Sequence, residues 1–212
     1  MKQHKPKREK GAVLLVALVM LLVMTALAVS TMRGVALESR LTGNRANSVK
    51  LQNSAEAALR EAEYRFYGPA YLRDKLEPTA GNCATSNKIK AYGLNKPCLL
   101  EVKSAQLKSF TLNPATLSEG NKSTVLSATS AAGLAWMPYV GLDPANETQT
   151  EKPAKWNSYL ITGGPAEEVP LNVEYGAAGE GRGTFFYLIN GLTDDNFAMQ
   201  SSIANIYVGL NN

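Results

Sequence analysis

The chain has 212 residues, with 22 Lys or Arg against 18 Asp or Glu, one His and two Cys. That length suits one modest globular domain plus an anchor. The net charge of +4 is not a nucleic-acid signature, and the lone histidine, His4, leaves residues 12–212 with no His-based acid–base or Ser-His-Asp chemistry.

The excess charge is local. Residues 1–11 hold Lys2, Lys5, Lys7, Arg8 and Lys10 against the single acid Glu9, so the remainder carries 17 bases and 17 acids. A balanced remainder exerts no global pull on phosphates, and no nucleic-acid partner is expected. The basic stretch reads instead as a topology signal. Ala12–Val29 is an apolar run with Thr25 as its only polar side chain, and the first charge after Lys10 is Arg33. About 20 uncharged residues cross roughly 30 Å of hydrocarbon as a helix. Bases beside a span stay cytoplasmic, so the N-terminus is expected inside and the bulk in the periplasm. No small-residue cleavage box follows the run, unlike a secretory signal.

From Gly11 to about Tyr67 the pattern predicts one long helix, with a membrane part at 12–32 and an emerged amphipathic part at 33–67. Leu51, Ala55, Ala58, Leu59, Ala62 and Phe66 recur at helical spacing, a stripe suited to packing on a core. Gln52, Glu56, Arg60, Glu61 and Arg65 lie mostly off this face, with Glu56–Arg60 and Glu61–Arg65 as i, i+4 pairs. Gly68-Pro69 stops the helix. Gly34 and Thr42–Ser48 are weak helix formers, where either a bend or an uninterrupted helix is compatible with the sequence.

Residues 68–150 predict an irregular region of loops, short helices and one or two strands, with Cys98–Val102 as a strand candidate and Leu134–Met137 as a plug into the core. In an exported domain Cys83 and Cys98 are expected to pair; their spacing fits neither a C-x-x-C redox motif nor a zinc site. Residues 151–212 predict an antiparallel sheet: Trp156–Thr162, Val169–Tyr175 (demoted towards an edge by Pro170), Thr184–Asn190 and Met199–Val208, with turns at Gly179–Gly183 and Thr193–Asn196. The fold class is therefore α+β, a long N-terminal helix packed on a C-terminal antiparallel sheet.

Reactive constellations are missing from the sequence. Gly179–Gly183 lacks the context and spacing of a dinucleotide loop. Thr193–Asn196 does not match spaced calcium ligands. Trp136 and Tyr139 suit packing better than ligand binding. No enzyme activity, metal or cofactor is expected.

A basic leader, a glycine and a retained apolar helix together resemble a type IV prepilin. Residues 11–63 narrow the likeness: Leu37-Glu38-Ser39-Arg40-Leu41-Thr42-Gly43-Asn44 and Ala55–Glu63 resemble the N-terminal region of PilX-type minor pilins. The resemblance implies cleavage by a prepilin peptidase between Gly11 and Ala12 and N-methylation of Ala12. It implies storage in the inner membrane, then a place in an extracellular type IV pilus. Implied partners are other minor and major pilins and a large tip adhesin, with roles in pilus biogenesis, twitching motility and adhesion. Most pilins carry a glutamate at the fifth residue of the mature chain; counted from Ala12 this is Val16, an absence that the resemblance connects with a place near the tip. A minor pseudopilin of type II secretion shares the leader and helix, and a single-span anchored periplasmic binding module shares the topology.

Overall fold

The computed structural model describes residues 12–67, 76–90, 95–143, 145–161, 183–193 and 197–207. The leader with Gly11, the expected strand Val169–Tyr175, the turn residues 179–182 and the turn residues 194–196 lie outside them. The chain divides into two compact units, Met1–Ser48 and Val49–Asn212.

Helix α1 runs without a break over Ala12–Tyr64. Gly34 and Thr42–Ser48 are helical throughout, so of the two readings the sequence left open, the uninterrupted one is found. In the first unit its described side chains are exposed. The apolar part of the helix is long and apolar enough to cross a membrane.

The second unit is built on a five-stranded sheet. Its strands are β1 (Leu99–Leu100), β2 (Met137–Pro138), β3 (Ala154–Leu160), β4 (Gly183–Thr193) and β5 (Ala198–Tyr207). Strand order is β1-β3-β4-β5, with β2 also on β3. The three long strands pair antiparallel, with Trp156 opposite Gly191 and Gly191 opposite Met199. Antiparallel β2 sets Met137 opposite Trp156. Strand β1, from the segment that contains Cys98, lies parallel to β3, with Leu99 opposite Ser158. The sheet is thus mixed, and the layout is α+β.

Register assigns each side chain to a face, because neighbours along a strand alternate. Trp156 shares a row with Gly191, and Ser158 one with Ile189. Phe185, Tyr187, Ile189 and Gly191 therefore share one face, and Tyr187 meets Phe66 with ring centroids 5.4 Å apart. This is the α1 face. It receives the stripe expected from spacing: Ala55, Ala58, Leu59, Ala62 and Phe66 are buried.

The opposite face carries Asn157, Tyr159 and Asn190. It is covered by helix α2 (Ser104–Leu112), whose Phe110 packs on Tyr159 at 5.0 Å between centroids. A row of amides crosses this face. Asn190 Nδ2 donates to Asn157 Oδ1 at 2.9 Å, and Gln200 Nε2 donates to Asn190 Oδ1 at 2.9 Å. The ends of the row are tied off by Asn157 Nδ2 to the Ala135 carbonyl and Gln200 Nε2 to that of Thr111, both at 3.0 Å. Buried amides are tolerable only when partnered in this way.

The described part of the middle region also holds two one-turn helices, α3 (Lys122–Val125) and α4 (Ala128–Ala131). Ala135, Trp136 and Met137 are buried, and the Trp136 indole donates to the Leu117 carbonyl at 2.8 Å. The expected plug is therefore core.

Candidate assembly helix

The apolar run of α1 has the chemistry of a segment made for a non-aqueous neighbour. Leu14, Val16, Leu18, Leu21 and Leu27 are all more than half exposed. The one hydroxyl in the run, Thr25 Oγ1, donates to the Leu22 carbonyl, and just beyond the run Thr31 Oγ1 donates to that of Ala28, each at 2.9 Å. Beyond its first turn, whose leading N–H groups have no acceptor within the helix, the backbone of this run is bonded to itself, as residence in hydrocarbon requires. Ala12 is the first described residue of the helix. Val16 lies one turn further on, exposed and uncharged.

At its other end, α1 is seated on the second unit by polar chemistry as well as packing. Glu61 and Arg65 are completely buried, joined at 3.0 Å between Oε1 and Nη2. The Trp156 indole donates to the same Glu61 oxygen at 3.1 Å. The second oxygen accepts the backbone N–H groups of Val140 at 2.8 Å and Gly141 at 3.0 Å. Arg65 Nη1 donates to the Asn87 carbonyl at 2.8 Å, and its guanidinium lies 5.1 Å from the Trp156 ring centroid.

This corrects the reading that leaves Glu61 and Arg65 off the buried face. Charged residues are seldom buried. The positions of these two say otherwise: Glu61 follows Ser54 by one heptad and Arg65 follows Ala58 by one, so both lie along the buried stripe. Spacing could have found them. The partners that make their burial tolerable, donors from Val140, Gly141 and Trp156 and the acceptor carbonyl of Asn87, are remote in sequence and invisible to periodicity. The other expected pair, Glu56–Arg60, does sit in solvent at 3.1 Å.

Cys83 and Cys98 are bonded to each other and buried. The loop they close contains Asn87, whose side chain donates to the carbonyls of Asn82 at 2.6 Å and Lys96 at 2.9 Å. The loop therefore presents the carbonyl that Arg65 uses. Gly133 packs against it so closely that an added Cβ would stand 2.8 Å from Cys83 Cβ.

Among the described residues no group of three or more His, Cys, Asp or Glu is placed to hold a metal. Thr193 is buried in the sheet and its hydroxyl faces the Phe197 carbonyl.

Among the described residues, one N-terminal helix long and apolar enough to span a membrane continues into a disulfide-closed α+β domain. Residues 10–60 match the family model described as PilX N-terminal, consistent with a PilX-like type IV pilin. No curated protein and no solved structure matches the chain. The family is one of structural pilins, suggests a minor subunit of a type IV pilus, and implies contact with other pilins.

Proposed function

We propose that the protein is a minor pilin that helps prime type IV pilus assembly and works near the pilus tip. One observation carries the reading: the exposed apolar run Ala12–Val29 lies within residues 10–60, which match the PilX N-terminal family. In this reading residues 1–11 hold the N-terminus in the cytoplasm, and the helix stores the subunit in the inner membrane. Prepilin peptidase cuts between Gly11 and Ala12, and Ala12 becomes the N-methylated terminus. Assembly then moves the helix from lipid into the filament interior, where neighbouring helices replace acyl chains and the run need not meet water.

Val16 supports the place near the tip. A carboxylate there would be costly in lipid unless paired, and it serves only where a preceding subunit offers an amine. With valine the subunit has no need of a partner ahead. The head domain faces other minor pilins and a large tip adhesin, and supports twitching motility and attachment.

Mass spectrometry of the membrane-extracted protein tests the reading. A terminus at Ala12, methylated, supports it; an intact Met1 terminus and absence from sheared filaments overturn it in favour of a permanently anchored periplasmic module. Deletion separates the pseudopilin alternative, since loss of exoprotein secretion with intact surface pili assigns the protein to type II secretion. Unchanged assembly and unchanged filament position in Val16→Glu would count against the tip assignment.

A further inference from the structure

We infer that the buried Glu61–Arg65 pair is a register lock, which sets the axial position of α1 on the sheet and contributes little to net stability. The small residues of the row do not set that position, because Ser54, Ala58 and Ala62 repeat at one-turn intervals on the buried stripe and a slip of one turn replaces one of them by another. Leu59 and Phe66, the latter against Tyr187, resist a slip through packing alone.

The charged pair behaves differently. A slip of one turn brings either Ala57 or Arg65 to the place of Glu61. The N–H groups of Val140 and Gly141 and the Trp156 indole then face a methyl group or a cation, and the displaced carboxylate loses the donors that make its burial tolerable. Only one setting satisfies Glu61 with its present donors, Arg65 with the Asn87 carbonyl and the cation over Trp156.

The pair is also not optimised as glue. Arg65 Nε is buried without a hydrogen-bond partner, and Arg65 is itself fully enclosed. Replacing a buried ion pair by apolar groups of similar volume is often neutral or stabilising, whereas its best-attested use is to fix a register. A costly pair at the end of a repetitive small-residue row matches that use.

The test uses the full-length chain in detergent micelles, with the variant Glu61→Leu/Arg65→Met. Two probes report the native setting: the nuclear Overhauser contact between Ala55 and Gly191, and zero-length carbodiimide cross-linking of Lys50 to Glu151, whose side chains form an ion pair at 3.5 Å. The apolar variant is expected to stay folded but to show a second set of resonances around Gly191 and Trp156, with native cross-linking reduced by about half or more. A single resonance set with unchanged cross-linking overturns the proposal. If the double variant does not fold, Glu61→Gln decides on the same probes: a second set supports the lock and a single set overturns it. Failure of both variants to fold also overturns it, because the pair is then a stability determinant.

Discussion

The backbone of Gly191 in β4 lies directly under the Ala55 carbonyl of α1; a Cβ built on Gly191 would stand 2.4 Å from that oxygen and 3.3 Å from Leu59 Cβ. The glycine is what lets helix and sheet approach so closely. No flexible side chain can yield here, because the obstacle is helical backbone. Gly191→Ala is therefore expected to push α1 away from the sheet and to destabilise the second unit by about 1–3 kcal/mol, the usual range for forcing extra volume into a packed core. Thermal melting followed by near-ultraviolet circular dichroism checks this. Gly120→Ala, where the nearest obstacle to a Cβ is the Ser118 hydroxyl at 3.9 Å, provides the comparison and should melt close to the parent.

The two tryptophans make a second comparison. Both are buried and both donate through the indole N–H, but to different acceptors: Trp156 to the Glu61 carboxylate at 3.1 Å and Trp136 to the Leu117 carbonyl at 2.8 Å. Hydrogen bonds to charged groups are worth about 1.5–3 kcal/mol, against about 0.5–1.5 for neutral ones. Trp156 also lies beneath Arg65. Trp156→Phe is expected to lower the melting temperature more than Trp136→Phe. Equal losses would mean that ring volume, rather than the bond to Glu61, sets the contribution.

Much of this arrangement is written in side-chain periodicity. The stripe from Ala55 to Phe66 was legible because each residue sits on one helical face, and apolar spacing reports burial directly. The strand candidates Trp156–Thr162, Thr184–Asn190 and Met199–Val208 correspond to β3, β4 and β5, because aromatic and branched residues bounded by turn signals fit a pleated surface. Leu99–Leu100 was legible as strand, but its parallel pairing with β3 was not: pairing direction depends on how the segment around the disulfide is led back, which no local pattern encodes. The amide row is of the same kind. Asn157, Asn190 and Gln200 become one feature only when the register sets them side by side. Glu61 and Arg65 fail for another reason, since burial of a charge depends on hydrogen-bond partners brought together by the finished fold.

The disulfide supplies a third prediction. It closes a loop between positions 15 apart, which limits the unfolded chain and contributes roughly 3 kcal/mol in the chain-entropy picture. Cys83→Ala/Cys98→Ala should lower the melting temperature accordingly. The loop also holds the Asn87 carbonyl that receives Arg65. Its release should therefore speed hydrogen exchange in the last turns of α1 as well as in residues 83–90. Exchange confined to the loop would show that Arg65 is held well enough by Glu61 and Trp156 alone.

Acid should weaken the domain partly through Glu119. Burial raises the affinity of this carboxyl for a proton, but the opposing contacts together outweigh it. Lys122 bonds one oxygen at 2.8 Å, the Ala135 N–H bonds the other at 2.8 Å, and the Trp136 N–H adds to the effect. The result is a pKa below the ordinary 4.5. A depressed folded pKa means that the unfolded chain takes up the proton first as pH falls. The stabilisation is thus fully present above about pH 4.5 and is lost as pH drops through the folded value. Because the Glu119 side chain is half exposed, solvent screening keeps the effect within about 1 kcal/mol. Glu119→Gln should melt below the parent at pH 6, and the two melting temperatures should converge as the pH is lowered towards 3. A gap that stays constant across this range would mean that the carboxylate charge contributes nothing and that the variant loses only packing around Ala135.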